Sequence, residues 1–381
     1  MKNELTVRLP GVPPAIFPTL AGIPGLQMLF VGPFSCTRHG LYTSILQLRE
    51  QLSFLCVSEA DVVTGLYLDK TIQAAREIAA ERTPSCMILI TCCQNALIGT
   101  DYADLTARME EAVHIPVRYL EVNRLNLYAG RKAETMNLPT ELLRYDFLVP
   151  APKSPEPSVN LIGSPYGVDG GCELISLLES NGVTVRELCA CGDFKEYLKM
   201  ASAHLNIVLH RKYDSAGEFL KKKLGTPWLP LYGDYDPELL AAQYGGLARA
   251  LGVPLDAGAY ESALEERTGV LAKSLSGQSV YLEGGDSESP LEVCRWLLSR
   301  GVNLSGVALH NFSTVAQEAE RALREAWPGF RVEQDIYRLS EPGEDIRRLR
   351  ELKRPLPQPA GFQALHRVLD ALENAVGEVK A

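Results

Sequence analysis

The sequence predicts an α/β protein with three Rossmann-like, doubly wound parallel-sheet domains around a central cleft. Short apolar runs typical of buried strands alternate with amphipathic segments typical of helices, which indicates parallel sheets with helices on both faces. This alternation begins anew twice, so three units follow one another. A chain of 381 residues is also too long for one compact core.

The first predicted domain comprises residues 1–150. The run CMILITCC at 86–93 has no polar face, as expected of a strand that is buried on both sides. The segment DKTIQAAREIAAERT before it predicts a helix, and YADLTARMEEAV and IPVRYLEV after it predict a helix and a strand. Residues 146–158 contain four prolines and are predicted to be a linker.

The second predicted domain comprises residues 151–254 and the third residues 255–381. In the second, SVNLIG, TVRELCAC and LNIVLH read as strands and GCELISLLESNG reads as a helix. In the third, QSVYLEGG and LSGVALH read as strands on either side of the helix PLEVCRWLLSRG. The C-terminal tail, with FQALHRVLDALENAV, is predicted to be helical.

Composition and charge argue against several functional classes. Apolar residues make up 46% of the chain, which is ample for a buried core. The net charge is −9 without a long basic run, so we expect neither nucleic acid nor an anionic membrane surface as a partner. We find no signal-peptide pattern and no apolar run near the ~18 residues of a membrane helix. We therefore expect a soluble, cytoplasmic protein.

Three of the nine cysteines stand where an apolar run ends. Cys36 follows MLFVGPF, Cys56 follows LSFL, and Cys93 ends CMILITCC. The carboxyl ends of parallel strands share one edge of a sheet, where ligands bind, so these thiols converge if their strands are neighbours. Thiolates are the ligands of soft metals and iron–sulfur clusters. From spacing alone, three ordinary buried thiols explain the pattern equally well, because no compact C-x-x-C pair is present.

Three segments around these cysteines resemble the nitrogenase component 1 family: GPFSC at 32–36, LCVSEADVVTG at 55–65 and CCQNALIGTD at 92–101. The family includes the molybdenum–iron protein subunits, their cofactor-assembly homologues, the dark-operative protochlorophyllide reductase subunits and methanogen reductases that act on a nickel tetrapyrrole. The resemblance extends in order over about residues 25–310. It also implies a further strand after residue 325, which is replaced here by EPGEDIRRLRELKRPLPQ, so we expect a shortened third domain.

The resemblance implies that Cys36, Cys56 and Cys93 ligate an iron–sulfur cluster at a subunit interface. The implied cluster is [4Fe–4S] or a larger bridged one, and the implied assembly is a homodimer or a heterodimer with a related subunit. Cys92 is one residue out of register and is predicted to be an ordinary strand residue. The implied activity is that of an oxidoreductase, the catalytic component of a two-component nitrogenase-like system. An ATP-hydrolysing iron protein would supply electrons for a substrate or cofactor in the cleft.

Two alternatives remain open at this point. The first is a non-catalytic scaffold or carrier for a metallocofactor, as the assembly homologues of the family are. The second is a metal-free binding module with the same three-unit architecture. Turnover with a low-potential donor separates the first alternative from a reductase, and a colourless protein purified without oxygen indicates the second.

A second candidate site lies in the glycine-rich loop GSPYGVDGG at 163–171, between a strand and a helix. Gly163, Gly167 and Gly170 are predicted to let backbone N–H groups bind an anionic group of a cofactor. The loop has neither the dinucleotide-binding nor the P-loop spacing, so we expect no ATP hydrolysis by this chain. His210 ends LNIVLH, where nitrogenase has a cysteine for its iron–molybdenum cofactor. The resemblance therefore suggests a different second metallocofactor or a tetrapyrrole there.

Cys189 and Cys191 form a further pair near this site. Both stand at the end of the predicted strand TVRELCAC, where alternate residues share a face. That face could look into the cleft, but packing in the core is the interpretation we favour.

Overall fold

The computed structural model describes most of the chain. The described residues are 4–11, 16–36, 48, 50–92, 94, 98–122, 140–232, 237–284, 287, 289–309, 314–334, 357–358 and 360–380. The strands in this part of the chain are β1 (Glu4–Arg8), β2 (Leu26–Gly32), β3 (Leu52–Cys56), β4 (Cys86–Cys92), β5 (Val117–Val122), β6 (Ser158–Ile162), β7 (Thr184–Glu187), β8 (Leu205–Val208), β9 (Trp228–Pro230), β10 (Ser279–Glu283), β11 (Leu304–Leu309) and β12 (Arg331–Gln334).

Helices connect and cover these strands. They are α1 (Ile16–Leu20), α2 (Glu59–Thr64), α3 (Leu66–Arg82), α4 (Tyr102–Val113), α5 (Thr140–Leu143), α6 (Glu173–Ser180), α7 (Phe194–Lys199), α8 (Asp214–Leu224), α9 (Pro237–Leu251), α10 (Gly258–Ser274), α11 (Pro290–Ser299), α12 (Thr314–Ala326) and α13 (Phe362–Lys380). Short 3-10 turns occur at Leu188–Ala190, Met200–Ser202 and Arg211–Tyr213.

The strands form three four-stranded sheets, and every strand pair in them is parallel. The strand order is β3-β2-β4-β5 in the first sheet, β7-β6-β8-β9 in the second and β1-β10-β11-β12 in the third. In the first two sheets the chain starts inside the sheet and winds to both sides. The predicted α/β fold with three parallel-sheet units is therefore confirmed.

The first strand of the chain belongs to the third sheet. β1 pairs with β10 from Glu4 opposite Ser279 to Arg8 opposite Glu283, and its side chains are alternately exposed and buried. The sequence analysis predicted no strand here, because the run is short and its partner lies more than 270 residues away. The predicted division at residue 150 therefore assigns to the first unit a strand that completes the third sheet.

The third sheet also contains the strand that we expected to be absent. β12 pairs with β11 from Gly306 opposite Arg331 to Leu309 opposite Gln334, so in the described residues this sheet has as many strands as the others. The prediction that no strand follows residue 325 is wrong. RVEQ is a short edge strand with polar residues, so it has no continuous apolar run. Most of the segment EPGEDIRRLRELKRPLPQ lies outside the described residues.

The predicted strand TVRELCAC ends earlier than expected. β7 stops at Glu187, and Leu188–Ala190 form a 3-10 turn. The Glu187 carboxylate accepts a hydrogen bond from the Ala190 backbone N–H (3.1 Å), which turns the chain out of the sheet. Cys189 and Cys191 therefore do not alternate along a strand, and the prediction that they share its face is wrong.

The buried side chains show how the units pack. One core covers one face of the first sheet and includes Phe30 and Cys92 together with Leu188 and Tyr197 of the second unit. A second core, which includes Leu29, covers the opposite face of the first sheet under α3 and α4. The third core joins the second and third sheets with α13. The face of the first sheet that carries Phe30 and Cys92 is therefore the face that meets the second unit.

A buried carboxylate fixes the start of the C-terminal helix α13. Glu173 is 2% exposed and accepts hydrogen bonds from the Tyr244 hydroxyl (3.0 Å) and from the backbone N–H groups of Phe362 and Gln363. Gly361 precedes them at φ +66°, and a Cβ there would overlap the Glu173 carboxylate. Three helices, α6, α9 and α13, therefore meet at one acidic side chain.

We expect Glu173→Gln to lower the free energy of unfolding by about 1–3 kcal/mol, because the new amide N–H groups would face buried N–H donors. The measurement is urea unfolding followed by circular dichroism. Glu179→Gln is the matched control, since Glu179 is an exposed residue of the same helix. Equal stability of the two variants would contradict this account of the junction.

Candidate functional site

The three strands that lead to the predicted cluster ligands are neighbours in the first sheet. β2 pairs with β3 on one side and with β4 on the other, all parallel. Gly32, the last residue of β2, is paired with Cys56, the last residue of β3. Val31 is paired with Thr91, so Gly32 stands beside Cys92 at the end of β4. The structure therefore brings the ends of these strands to one edge, as the sequence analysis required.

Cys36 lies in the first turn after this edge. Its backbone N–H donates to the carbonyl of Pro33 (2.9 Å), and Phe34–Cys36 are helical. The thiol side chain is half-buried and packs against the core that joins the first sheet to the second unit. Cys36 is therefore near the sheet edge and on the side that faces the second unit.

Cys56 is exposed, and the loop after it is fixed by local hydrogen bonds. The Val57 N–H donates to the Gly32 carbonyl (3.1 Å). Ser58 and Asp61 form a capping box at the start of α2, in which each side chain accepts from the other's backbone N–H. Lys70 adds an ion pair to Asp61 (2.7 Å). These contacts hold Cys56 in place without covering it.

The Asp61 carboxylate should stabilise this loop in a pH-dependent way. The hydrogen bond from Lys70, followed by those from Ser58, lowers the pKa of Asp61 from 3.8 to about 2. A lowered folded-state pKa means that the contribution is complete above the ordinary value and is lost as the pH falls towards the folded value. We expect the stability difference between wild type and Asp61→Asn, measured by urea unfolding, to be smaller at pH 3 than at pH 6. Asp69→Asn, at a more exposed ion pair with Arg108, is the control.

The third predicted ligand, Cys93, lies outside the described residues. Its neighbour Cys92 is buried at the end of β4. Among the described residues, no group of three or more His, Cys, Asp and Glu side chains could hold a metal ion. Because the predicted set includes Cys93, its role as a ligand set stays a prediction. The donor chemistry fits an iron–sulfur cluster, since thiols are the side chains that stand at this edge.

Exposed apolar side chains surround the same edge. Four of the seven exposed large hydrophobic residues in the described part of the chain follow β2, β3 or β4: Phe34, Val63, Leu66 and Ile98. Val63 is the most exposed, at 86%. Exposed apolar side chains in the segments that follow one sheet edge make that edge a candidate contact surface. The sequence analysis did not find this patch, since each residue is unremarkable in its own segment.

The predicted anion-binding loop is held by contacts within the chain. Gly167 has φ +102°, and a Cβ there would lie 3.3 Å from the Cβ of Cys189. The Gly167 carbonyl accepts from the Gln358 N–H (3.0 Å), and the Asp169 N–H donates to the Gln358 carbonyl (2.8 Å). Gly170 is exposed and has no such constraint. The anion-binding role stays a prediction, and the loop offers fewer unused N–H groups than its sequence suggested.

Gly163 and His210 follow neighbouring strands of the second sheet. Gly163 comes directly after β6 at φ +111°, and a Cβ there would lie 3.0 Å from the ring of Tyr213. His210 follows β8 and is half-buried, with its ring 6.5 Å from that of Tyr213. These two predicted residues therefore stand at the same carboxyl edge, with Tyr213 beside both.

A buried arginine connects the first unit to this loop, and the sequence analysis missed it. Arg144 is completely buried, and its guanidinium donates to the carbonyls of Ser164 (2.9 Å) and Pro165 (3.4 Å) and contacts the Cys189 sulfur (3.4 Å). Its own carbonyl accepts from the Tyr197 hydroxyl (3.0 Å). A basic residue within the apolar run ELLRYDFLV was the signal that could have revealed it.

Burial is the main reason that Cys189 stays neutral. Burial, with the nearby Glu187 carboxylate, raises the pKa of Cys189 to about 12, although Arg144 acts in the opposite direction. Burial also raises the pKa of Glu187. A thiol with a raised pKa is a poor source of thiolate, so the geometry favours packing for Cys189 over metal ligation.

An open cavity of about 960 Å³ lies elsewhere, at the amino-terminal edge of the third sheet. Its lining includes Ser279, Leu304 and Arg331, which begin three strands of that sheet. Ligands of parallel sheets bind beyond the carboxyl ends of strands, so this cavity is on the side where no ligand is expected.

A family model for nitrogenase component 1 type oxidoreductases matches residues 18–357, which is most of the chain. The protein belongs to the nitrogenase component 1 type oxidoreductase family. The resemblance stated from the cysteine motifs is thereby confirmed.

This family member is similar to a nitrogenase iron-molybdenum cofactor biosynthesis protein, NifE, of Sinorhizobium fredii, with 29% identity over 150 residues. The match covers 39% of this chain and 29% of that protein, so it spans less than a third of the relative's length. Among solved structures, one titled "Nitrogenase Cp1 at pH 6.5" matches with a TM-score of 0.67 at 16% identity, covering 100% of this chain and 93% of the other.

A second structure, "Nitrogenase Cp1 at pH 5", matches with a TM-score of 0.52 at 17% identity over 98% of this chain and 80% of the other. At these identities the two structures show that the fold is shared. In the part of the family member that the structure describes, no helix combines the length and the apolar character needed to cross a membrane.

Proposed function

We propose that this protein is an iron–sulfur oxidoreductase that receives electrons from an ATP-hydrolysing iron protein. It passes them to a substrate or cofactor between its first and second units. The observation that carries the proposal is the strand order β3-β2-β4, which brings the ends of the strands that lead to Cys36, Cys56 and Cys93 to one sheet edge. In parallel sheets that edge is the ligand-binding edge.

Cys36, Cys56 and Cys93 would hold the cluster, as [4Fe–4S] or as a larger bridged form. When bound, the cluster supplies one-electron redox chemistry, and the chain supplies its position and its surroundings. The exposure of Cys56 and of apolar neighbours such as Val63 supports a place against a second subunit. That subunit is either a second copy of this chain or a related chain.

The packing of the units supports a route from the cluster to the second unit. Cys36 packs against the core that also contains Leu188 and Tyr197, so the cluster edge and the second unit share one apolar interior. The second sheet presents Gly163 and His210 at its own carboxyl edge. A second metallocofactor or a tetrapyrrole near these residues would receive the electrons.

The similarity to the NifE protein favours a second candidate function. A relative named for cofactor biosynthesis supports a non-catalytic scaffold or carrier, on which a metallocofactor is assembled and then transferred. The same cysteine edge serves both functions. A scaffold differs from a reductase because it gives up its metal to an acceptor protein, whereas a reductase keeps its cluster through repeated cycles.

A thiolate-bound cluster and the eight free cysteines among the described residues suit a reducing compartment, so we place the protein in the cytoplasm. The net charge of −9 supports the absence of nucleic acid and of an anionic membrane surface among its partners.

Reversible reduction tests the proposed electron transfer. The anaerobically purified protein would be reduced stepwise with a low-potential donor and reoxidised, with the visible absorption of the cluster and the iron content recorded at each step. We expect the absorption to fall and return over several cycles with the iron retained. Progressive transfer of iron to an added apo-acceptor protein would instead support the scaffold, and an iron-free protein would contradict both functions.

A further inference from the structure

Two buried hydroxyl groups of the first unit have no hydrogen-bond partner among the described residues. They belong to Thr91, near the end of β4, and to Tyr102, the first residue of α4. Both side chains are almost completely buried, with exposures of 1% and 7%. Buried polar groups are normally hydrogen-bonded to protein or to an ordered water molecule, so this pair requires an explanation.

Thr91 and Tyr102 are on the face of the first sheet that α3 and α4 cover. Thr91 is directly paired with Val31, and paired residues of neighbouring strands share a face. Val31 belongs to the core under these helices, and so does Tyr102. The Tyr102 ring also stacks on Tyr119 of β5, with the ring centroids 5.1 Å apart. The two hydroxyl groups are therefore on one side of the sheet.

These hydroxyl groups are neighbours that do not bond to each other. Burial raises the pKa of Tyr102, and the nearby Thr91 side chain acts in the opposite direction. The phenol therefore keeps its proton and remains a hydrogen-bond donor at neutral pH. A hydroxyl group both donates and accepts, so one small molecule can bond to both groups at once. A direct bond between the same two residue types is found elsewhere in the first unit, from Tyr67 to Thr100 (2.7 Å).

We propose that Thr91 and Tyr102 bind one buried water molecule, which accepts a hydrogen bond from one hydroxyl group and donates a hydrogen bond to the other. Water suits the site because both groups are neutral, and because the negative charge of the nearby Glu121 disfavours an anion. Buried waters in proteins make about two to four such bonds to otherwise unsatisfied groups.

The position of this water gives it a structural role. Thr91 precedes the segment 93–101 and Tyr102 follows it, so the water would join the two ends of this segment. The segment includes the predicted ligand Cys93. The inference itself uses no metal and is independent of the proposed function.

A double-mutant cycle with Thr91→Val and Tyr102→Phe tests the inference, because each substitution removes one hydroxyl group and keeps the shape of the side chain. Folding equilibrium constants would be obtained from urea unfolding followed by circular dichroism. We expect each single substitution to lower the constant at least about fivefold, since the remaining hydroxyl group stays buried with a poorer partner. The double variant should lose less than the product of the two single effects, since both act on one water.

Tyr67→Phe with Thr100→Val is the reference cycle, because it removes a direct hydrogen bond between the same residue types. Coupling in both cycles would support the inference. Single substitutions at Thr91 and Tyr102 that leave the constant unchanged or raise it would overturn the inference, since removing an unpaired buried hydroxyl group costs no hydrogen bond. Two effects that multiply independently would overturn it as well.

A high-resolution crystal structure separates a bound water from a direct bond. We expect an ordered water within hydrogen-bond distance of Thr91 Oγ1 and Tyr102 Oη in the wild type. Thr91→Ser, which keeps the hydroxyl group, should retain this water, and Thr91→Val should lose it. Direct contact of the two oxygen atoms, a larger molecule in this position or the absence of ordered water would overturn the inference. None of these results would affect the proposed function, which an iron-free protein would contradict.

Discussion

Arg144→Met is expected to lower the free energy of unfolding by about 3–5 kcal/mol, because it removes a buried cation from a network that depends on it. The Ser164 and Pro165 carbonyls would lose their donor. The buried Glu187 would lose the nearby positive charge. Urea unfolding of the variant, followed by circular dichroism, is the measurement.

Arg267→Met is the control for this prediction. Arg267 is also multiply paired, with Asp370 and Glu373 at 2.6 Å, but its side chain is partly exposed. We expect a loss of at most about 1 kcal/mol there, since solvent screens such pairs. If Arg144→Met were no more destabilising than Arg267→Met, the buried connection between the first unit and the glycine-rich loop would be structurally unimportant.

Cys56→Ala is expected to abolish cluster binding while leaving the iron-free protein almost as stable as wild type. Cys56 is exposed at the end of β3, so its removal creates no buried cavity, and the change in unfolding free energy should be within about 0.5 kcal/mol. The measurements are iron content and urea unfolding of the same preparations.

Cys294→Ala should show the opposite behaviour. Cys294 is completely buried in α11 of the third unit, away from the sheet edge. Its loss should destabilise the protein through the cavity that it leaves, with iron binding unchanged. If Cys56→Ala kept its iron, or if both variants lost iron alike, the cysteine edge of the first sheet would not be the cluster site.

The parts of the fold that could be predicted are those that local pattern determines. The run at Cys86–Cys92 is apolar on both faces, and α4 begins at an Asp101 N-cap, so both elements were predicted close to their observed bounds. β1 and β12 were not predicted, because each is a short edge strand without a continuous apolar run, and the partner of β1 is also more than 270 residues away. Long-range pairing leaves little signal in a five-residue segment.

In the candidate site too, local pattern could be predicted from the sequence and long-range contacts could not. The sequence indicated that Cys36 and Cys56 follow strands, but their convergence depended on strand order, which only the structure supplies. The sequence did not reveal which hydrogen bonds the side chains form. The Glu187 carboxylate, for example, ends β7 and turns Cys189 away from a strand face. The burial of Arg144 depends on a loop twenty residues further along the chain. Sequence pattern therefore identified residue types and missed their three-dimensional partners.

Iron and acid-labile sulfide in the anaerobically purified wild-type protein, with the EPR spectrum of its reduced form, test the central claim most directly. We predict about four or more irons per dimer, matching sulfide, and the signal of a reduced cluster. The signal should disappear in Cys36→Ala, Cys56→Ala and Cys93→Ala. A wild-type protein that remains iron-free after reconstitution, with variants that differ from it only in stability, would contradict the account and reduce these cysteines to packing residues.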